Sequence, residues 1–583
     1  MFLRTTLLPL LSLFFVADTL TAQARQTDCA NPTAAADLNI NAVRARITNS
    51  GNLWNDSGAG AYEVTANDAS PNLNPVAAIY TGSLWIGGVD PGGGLKVAAQ
   101  QYETNRFDFY PGPLTDEGIT EADQCVQWDR LFPILQEDVR NFISDYDAQN
   151  PPVAGQIIAN IAGWPGKGNP LFEAVNGFPL PNDTEEYAPF QDVNEDGIYN
   201  PLDGDYPLFC GDQAIWCIFN DAGGPHASSN TPAAVQAEIH LLAYAFAAND
   251  SLLHRTTFYD YKIINRGQEN VMDFYAGHWI DSDLGCFQND LNNSSPENNL
   301  FYVYNDTSVE PEICDGVAGY GNTSPVNIFQ VVRSTAATAQ VEGGPLMSSF
   351  VSTYNQGVGG PLPAVAQQPA TAVEYYNQLT GLWPNGTPQT RGGVGYETGG
   401  EATRFAFDGG MVNDEPWQHC TSASGATDTR QTYSTGPYNL APGDAAGFTL
   451  AITTVFGIDY PTDICPDASQ VLSAAGFIKD FYDGNCSPSV LTSTRTPQSP
   501  ESIGLEVFPN PTAGQLSFRV PEGVEIKRIE VLDMAGRQLT SSVGATNDLG
   551  IDLKAVGLPA GVYVYRLQTT DGAMVTGRVV LME

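Results

Sequence analysis

The sequence predicts a mainly β fold: a large β-sandwich-type body with short helices and long loops, followed by a small C-terminal β-sandwich. Three observations predict it. Hydrophobic residues make up 42% of the 583 positions and charged residues only 16%, a balance that lets a chain bury a sizeable core. The 58 Gly and 40 Pro fall largely at turn-like positions, which favours many short strands over long helices. The 25 Tyr and 27 Phe supply the large side chains that pleated, half-buried surfaces accommodate well. At this length several domains are expected.

The N-terminus reads as an export signal. Arg4 precedes an apolar run from Leu7 to Val16, and Ala22-Gln23-Ala24 follows as a small-x-small cleavage site. Residues 1–24 are therefore assigned to a signal peptide. The run is too short to span a bilayer, and no later segment is apolar for long enough, so no membrane span is expected. No cysteine stands at the cleavage point to carry a lipid anchor. The charge balance narrows the partners. With 66 acidic against 25 basic residues the net charge is -41, which repels phosphate backbones and argues against nucleic acid. The same charge suits divalent cations, and it equally suits solubility in salty surroundings.

The body, residues 25–486, begins with a polar, turn-rich stretch. Two strands then flank the Asp90–Gly94 turn. Between Glu121 and Tyr146, Leu131, Leu135, Val139, Phe142, Ile143 and Tyr146 recur at helical spacing, with Pro133 breaking the run into two pieces. A Pro/Gly/Asn-rich loop covers 151–189. Buried strands are predicted over 212–221, 238–247 and 256–265. The last alternates Phe258, Tyr261, Ile263 and Ile264 with Asp260, Lys262 and Asn265. Further strands are expected at 299–304, 328–332 and 448–456, and a short helix at 468–482.

The stretch from Asp192 to Asp205 carries the most specific chemistry in the body. Oxygen side chains fall at Asp192, Asn194 and Asp196, then at Asn200 and Asp203, and Gly197 sits where a chain wrapping an ion must turn. This is the ligand rhythm of an EF-hand-type calcium loop, in which the backbone carbonyl of Ile198 fills one place. The last ligand position is Asp203 instead of a bidentate Glu, and Asp205 stands ready to replace or assist it. Pro201 forbids an ordinary exiting helix. The expectation is an isolated loop holding a structural calcium ion, as in dockerin-like or thrombospondin-type repeats. An acidic Asx-rich turn with no ion is the competing reading. A second, less complete constellation lies in Trp279-Ile280-Asp281-Ser282-Asp283-Leu284-Gly285, with Asn289-Asp290 nearby. There Asp281 and Asp283 could bind a cation or simply form a turn.

Nine cysteines in an exported chain imply disulfides with one thiol left over. Neighbour pairing would give Cys210–Cys217, Cys286–Cys314 and Cys465–Cys486, although spacing alone leaves the connectivity open. Zinc is a poor alternative, because no CxxC pair and no HExxH occurs.

Residues 487–503 are rich in Pro, Ser and Thr without apolar periodicity, and read as a linker. Residues 504–583 read as an independent β domain. Its short strands are expected at 505–508, 516–520, 526–532, 550–553, 562–568 and 574–581, with a hairpin turn at Thr570-Asp571-Gly572. That many strands in so short a stretch suggest a small immunoglobulin-like β-sandwich. Pro509-Asn510-Pro511, Leu532-Asp533 with Gly536-Arg537, and Leu558-Pro559-Ala560-Gly561-Val562-Tyr563 before a terminal hairpin resemble the type A sorting domain of the type IX secretion system of Bacteroidetes-type bacteria. The resemblance implies export across both membranes, with the secretion machinery and a sortase-like peptidase as partners. It also implies a final location at the cell surface or outside the cell. In the body, Leu84-Trp85-Ile86-Gly87-Gly88, Tyr110-Pro111-Gly112-Pro113, the Asp192 loop running into Gly204-Asp205-Tyr206-Pro207, and Trp279-Ile280-Asp281-Ser282-Asp283-Leu284-Gly285 resemble a recurrent class of large secreted Bacteroidetes proteins with the same tail. That resemblance implies a shared fold and supplies no activity.

No catalytic constellation stands out. None of the five histidines makes a metalloprotease pair, and no GxSxG elbow is present. Adjacency of His419 and Cys420 is no evidence for a thiol protease, whose partners meet in space and not in sequence. Two functions remain. One is a calcium-stabilised surface protein with a binding, adhesive or structural role and an extracellular glycan or protein ligand. The other is a secreted hydrolase, a glycoside hydrolase or peptidase, using carboxylates whose separation the sequence does not give.

Overall fold

The computed structural model describes residues 28–65, 75–102, 106–181, 186–231, 233–248, 252–321, 323–335, 346–354, 364–422, 425–462, 464–486, 505–521, 526–532, 538–546, 548–555, 557–569 and 574–582. The expected signal peptide, the expected 487–503 linker and the Thr570–Gly572 turn lie outside these residues.

The body is built on two large antiparallel sheets. The ten-stranded sheet runs in the order Ser349–Tyr354, Thr429–Leu440, Val271–Asp281, Thr81–Val89, Asn52–Leu53, Val43–Thr48, Tyr62–Val64 and Val76–Ile79, with Ala35–Leu38 and Leu95–Ala99 added alongside. The nine-stranded sheet runs in the order Tyr110–Pro111, Gln213–Asn220, Ala237–Ala245, Thr256–Asn265, Ala445–Val455, Val326–Thr335, Leu300–Asn305 and Asp290–Ser295, with Phe132–Leu135 added to Gln213–Asn220. Alternate residues of both sheets meet in one core. It contains Leu84, Ile86, Phe274, Ile280 and Tyr433 from the first sheet, and Ile215, Ile239, Tyr259, Tyr261, Phe448 and Leu450 from the second. Aromatic hydroxyls buried there find partners across the sandwich. Trp54 Nε1 donates to the Tyr259 hydroxyl at 2.8 Å, and His278 sits between the Tyr433 and Tyr261 hydroxyls at 2.7 and 2.9 Å. Burial holds the His278 ring neutral, with its pKa lowered to about 3.

Both outer sheet faces are also covered, so the central strands are buried on two sides. Helix Ala372–Leu379 packs Tyr375 and Leu379 over Trp85, Val97 and Trp279. On the nine-stranded sheet, the segment around 128–210 and helix Ala468–Asn485 cover Trp216, Tyr244, Phe258 and Ala451. This second layer corrects the face assigned to Phe258. Tyr259, Tyr261 and Ile263 point into the sandwich, whereas Phe258 belongs to the outer layer with Tyr244 and Tyr482. A strand covered on both sides loses the clean polar alternation that a half-exposed strand shows.

The helical run expected across Pro133 is interrupted by a strand. Ala122–Trp128 and Gln136–Asp145 are helices, but Phe132–Leu135 pairs with Gln213–Asn220 and alternates buried and exposed. Pro133 takes one of its exposed places, at the sheet margin, where a missing N–H is tolerated. The strands over 212–221, 238–247, 256–265, 299–304, 328–332 and 448–456 form close to their expected bounds, as does the helix beginning at Ala468. One strand crossing is unusually tight. At Gly277 any Cβ would run into the Tyr433 carbonyl of the paired strand.

Four disulfides form: Cys29–Cys125, Cys210–Cys486, Cys286–Cys314 and Cys420–Cys465. Of the neighbour pairs only Cys286–Cys314 is present. Cys217 is the free thiol, buried in the sandwich core. Cys210 lies just before the Gln213–Asn220 strand in the outer apolar layer, whereas Cys217 within that strand faces the sandwich core, so proximity in sequence does not bring them together.

The C-terminal residues form a smaller sandwich with its own core. One sheet holds Glu506–Phe508, Gln515–Arg519 and Asp548–Asp552. The other holds Gln538–Thr546, Ile526–Leu532, Gly561–Thr569 and Met574–Leu581. Leu516, Phe518, Ile529, Val531, Tyr565 and Leu567 fill the space between.

A buried charge near the body's edge leads to a pH prediction. Both ring nitrogens of His226 meet carbonyl oxygens, Nδ1 with Val97 at 2.8 Å and Nε2 with Asp221 at 2.6 Å. Carbonyls only accept, so the ring must donate twice and be an imidazolium. Burial opposes the charge, but the neighbouring Asp221 carboxylate and carbonyl outweigh it and raise the pKa to about 9. Because the folded value lies above the ordinary 6.5, this stabilisation is complete below about pH 6.5 and is lost as pH rises through about 9. Its loss is expected to cost on the order of 3 kcal/mol. Thermal melts at pH 6 and pH 9.5 check this. His226→Gln should remove most of the pH-dependent drop, and an unchanged drop in that variant would contradict the charge assignment.

Candidate metal centre

The Asp192–Asp205 loop rises from a two-residue ladder in which Phe190 pairs with Pro207 and Gln191 with Tyr206. Tyr199 anchors it from below. Its ring is fully buried against Phe190, and its hydroxyl donates to the Ile161 carbonyl at 2.6 Å. The residues from Val193 to Ile198 are exposed, and Glu195 and Gly197 turn the chain with φ of 59° and 80°. Gly197 adopts that conformation without penalty, while Glu195 is a side chain held in it.

The oxygen side chains of this loop turn inward, onto its own amides. The Asp192 carboxylate accepts from the N–H groups of Asp196 at 3.3 Å and Gly197 at 2.7 Å. Asn194 Oδ1 accepts from Asp196 N at 3.1 Å, and Asp196 Oδ1 from Ile198 N at 2.8 Å. Asn200 Nδ2 donates to Asp203 at 2.6 Å. Asp205, fully buried, ties the two ends together by accepting from Val193 N at 2.7 Å and Asn200 N at 2.8 Å. Asp203 remains exposed, so Asp205 is the carboxylate that closes the loop. Burial raises the Asp205 carboxyl, the two amides pull it down, and the charges of Asp192 and Asp196 push it up again. Three acids thus act on one another around a single bend.

Among the described residues, three ligand-bearing side chains bring ligand atoms within 4.8 Å of one another at two places, and both lie outside this loop. One is Cys286, Glu310 and Cys314, whose sulfurs are joined in a disulfide and have no thiolate to offer. The other is Asp281, Asp283 and Asp428. Asp281 ends the Val271–Asp281 strand, and Asp428 immediately precedes the neighbouring Thr429–Leu440 strand. The register pairs Asp281 with Arg430. Arg430 is ion-paired to Asp281 at 2.9 Å and to Asp428, and its Nε donates to the Tyr102 hydroxyl at 3.1 Å. Burial, together with the neighbouring acids, raises the Asp281 carboxyl well above the usual range and Asp283 to about 6. The sequence spacing singles out Asp281 and Asp283. Asp428 lies far along the chain and carries no local signal; the strand pairing supplies it.

A third feature is a cavity of about 420 Å³ on the outer face of the nine-stranded sheet. Tyr187, Trp216 and His240 stand on one side, and Asp260, Lys262 and Arg333 on the other. Glu238 fixes His240 through Nε2 at 2.9 Å, and Arg266 holds Glu238 at 2.8 Å. The His419–Cys420 pair, by contrast, is no thiol nucleophile: Cys420 is disulfide-bonded to Cys465.

The sandwich body, its disulfides and the separate terminal sandwich define an exported type of β protein. Residues 506–582 match the family model of the secretion system C-terminal sorting domain. The chain therefore carries such a domain and is a secreted or cell-surface protein. No helix among the described residues is long and apolar enough to cross a membrane. No curated protein matches the chain. Three solved structures show local similarity. A DUF3244 family protein with an immunoglobulin-like β-sandwich fold from Bacteroides vulgatus is 17% identical over 14% of this chain and 88% of its own, with a TM-score of 0.13. A polysaccharide lyase is 8% identical over 59% of this chain and 34% of its own, with a TM-score of 0.17. The BSP domain of a biofilm associated protein is 11% identical over 64% and 60%, with a TM-score of 0.13. Similarities of this extent do not identify a relative.

Proposed function

We propose that the protein is a calcium-stabilised β-sandwich of the bacterial cell surface or exterior, with a binding, adhesive or structural role. The sorting domain at 506–582 supports the surface or exterior location. The signal-like residues 1–24 would take the chain across the inner membrane of a Bacteroidetes-type cell. The type IX machinery would then take it across the outer membrane, and a sortase-like peptidase would remove the tail. Calcium is assigned to the Asp192–Asp205 loop, where Asp192, Asn194, Asp196, Asn200 and Asp205, with Asp203 and the Ile198 carbonyl, supply the hard oxygen ligands this ion takes. The cavity beside Trp216 and His240 is the seat assigned to an extracellular glycan or protein ligand.

Deletion of residues 504–583 tests the export half of the proposal. In a host with the type IX machinery, the truncated body is expected to fold and accumulate in the periplasm. Its core is complete without the tail, since the terminal sandwich has a separate one. Surface display at the level of the full chain would contradict the assignment.

A further inference from the structure

We propose that Asp281, Asp283 and Asp428, with Asp290 beside them, form a second divalent-cation site that clips the two large sheets together at one end of the sandwich. The class of ligand is a hard cation such as calcium, held by carboxylate oxygens.

Charge is the first argument. Three carboxylates converge within 4.8 Å, and Arg430 is ion-paired to Asp281 and Asp428. When all three are ionised, one guanidinium is outnumbered in a site where Asp281 is 1% and Asp428 6% exposed. Uncompensated charge at such depth is costly, so the ionised acids call for a further cation.

Asp290 is the second and independent argument. Its side chain is fully buried, yet its Oδ1 has no hydrogen-bond partner. Its position is set from both sides. The Leu284 amide, next to Asp283, donates to Asp290 Oδ2 at 3.3 Å, and the Thr427 amide, next to Asp428, donates to the Asp290 carbonyl at 3.3 Å. The bare oxygen thus belongs to a residue held between two ligands of the cluster. Asp281 Oδ1 likewise makes no hydrogen bond, although it lies 2.9 Å from the Arg430 guanidinium. Buried oxygens without donors are what a metal ion would satisfy.

The frame around the cluster is stiff. Cys286 follows Asp283 by three residues and is bridged to Cys314, and Cys420 upstream of Asp428 is bridged to Cys465. Asp283 is only half-buried and marks the way in from solvent. Asp281 ends one strand of the ten-stranded sheet and Asp428 directly precedes another, whereas Asp290 opens an edge strand of the nine-stranded one. An ion held by all of them would join the two sheets at this end.

The site is separate from the Asp192–Asp205 loop, so the two assignments can fail separately. The test uses the full chain with the loop disabled by Asp192→Asn and Asp196→Asn. Native mass spectrometry in millimolar calcium is expected to count one remaining ion. Terbium should show emission sensitised through Trp279, whose ring lies 5.0 Å from that of Tyr102. Adding Asp283→Asn and Asp428→Asn should abolish both signals. A loop-disabled chain that folds but holds no ion would overturn the site, as would an ion that survives the two further substitutions. If the loop-disabled chain does not fold, Asp283→Asn with Asp428→Asn in the otherwise unaltered chain decides: one ion fewer supports the proposal, and an unchanged count overturns it.

Discussion

Replacing Cys210 and Cys486 with alanine is expected to destabilise the body by about 5 kcal/mol, more than the loss of any other bridge. The bridge spans a sequence separation of 276, and closing so long a loop removes the most conformational freedom from the unfolded chain. The bridge also sits where it matters. Cys486 caps the Ala468–Asn485 helix, Cys210 follows the Asp192–Asp205 loop, and both lie in the apolar layer over the nine-stranded sheet. The same chain-entropy argument gives about 3.5 kcal/mol for Cys286–Cys314, whose separation is 28. Unfolding of the two double-alanine variants under oxidising conditions ranks them. A larger loss for Cys286–Cys314 would show that chain entropy does not govern these bridges.

Removal of the calcium proposed for the loop is expected to be the second large effect. An ion that binds only the folded state at a free concentration about 1,000 times its dissociation constant adds about 4 kcal/mol. For a body of about 460 residues this corresponds to a shift in melting temperature of about 4 °C. The loss should be concentrated in the loop, because Asp192, Asp196 and Asp205 then repel one another with nothing but amides to hold them. Limited proteolysis should accordingly cut between Val193 and Ile198 in chelator and spare that stretch in calcium. Asp192→Ala with Asp196→Ala should show the chelated behaviour even when calcium is present. Cleavage indifferent to calcium would count against an ion in the loop.

Much of the architecture was legible in the sequence because its strands announce themselves. Gln213–Asn220 and Ala445–Val455 are apolar over most of their length, and helix Ala468–Asn485 keeps its apolar residues in helical register. The tail was legible from its motifs. Several strands of the body were not. Thr429–Leu440 reads as a polar loop with a Gly-Pro step, yet Gln431, Thr432, Ser434 and Thr435 are all buried. They are tolerated because each side chain has a hydrogen-bond partner, such as Ser282 for Gln431 and the Leu379 carbonyl for Ser434. Ser349–Tyr354 is hidden in the same way. Val271–Asp281 holds Gly277 and His278 at places where a strand normally carries β-branched residues, because a neighbouring strand and two tyrosine hydroxyls come close there. In the terminal domain Gln538–Thr546 was missed for its Thr, Ser and Gly content.

The candidate sites divide along the same line. The Asp192–Asp205 rhythm is local and visible as spacing, whereas the role of Asp205 over Asp203 depends on which carboxylate the fold buries. Asp428 joins Asp281 only through strand pairing, across a separation that no spacing rule spans. The disulfides other than Cys286–Cys314 are long-range in the same sense, since each is fixed by the layer its cysteines enter.

The central claim is that a divalent metal neutralises the carboxylates of the Asp192–Asp205 bend. Elemental analysis of the purified chain, desalted without chelator, measures this directly. The account predicts bound calcium, with one ion fewer per chain after Asp192→Ala and Asp196→Ala. A chain that carries no divalent metal, and that melts at the same temperature with and without chelator, would contradict it.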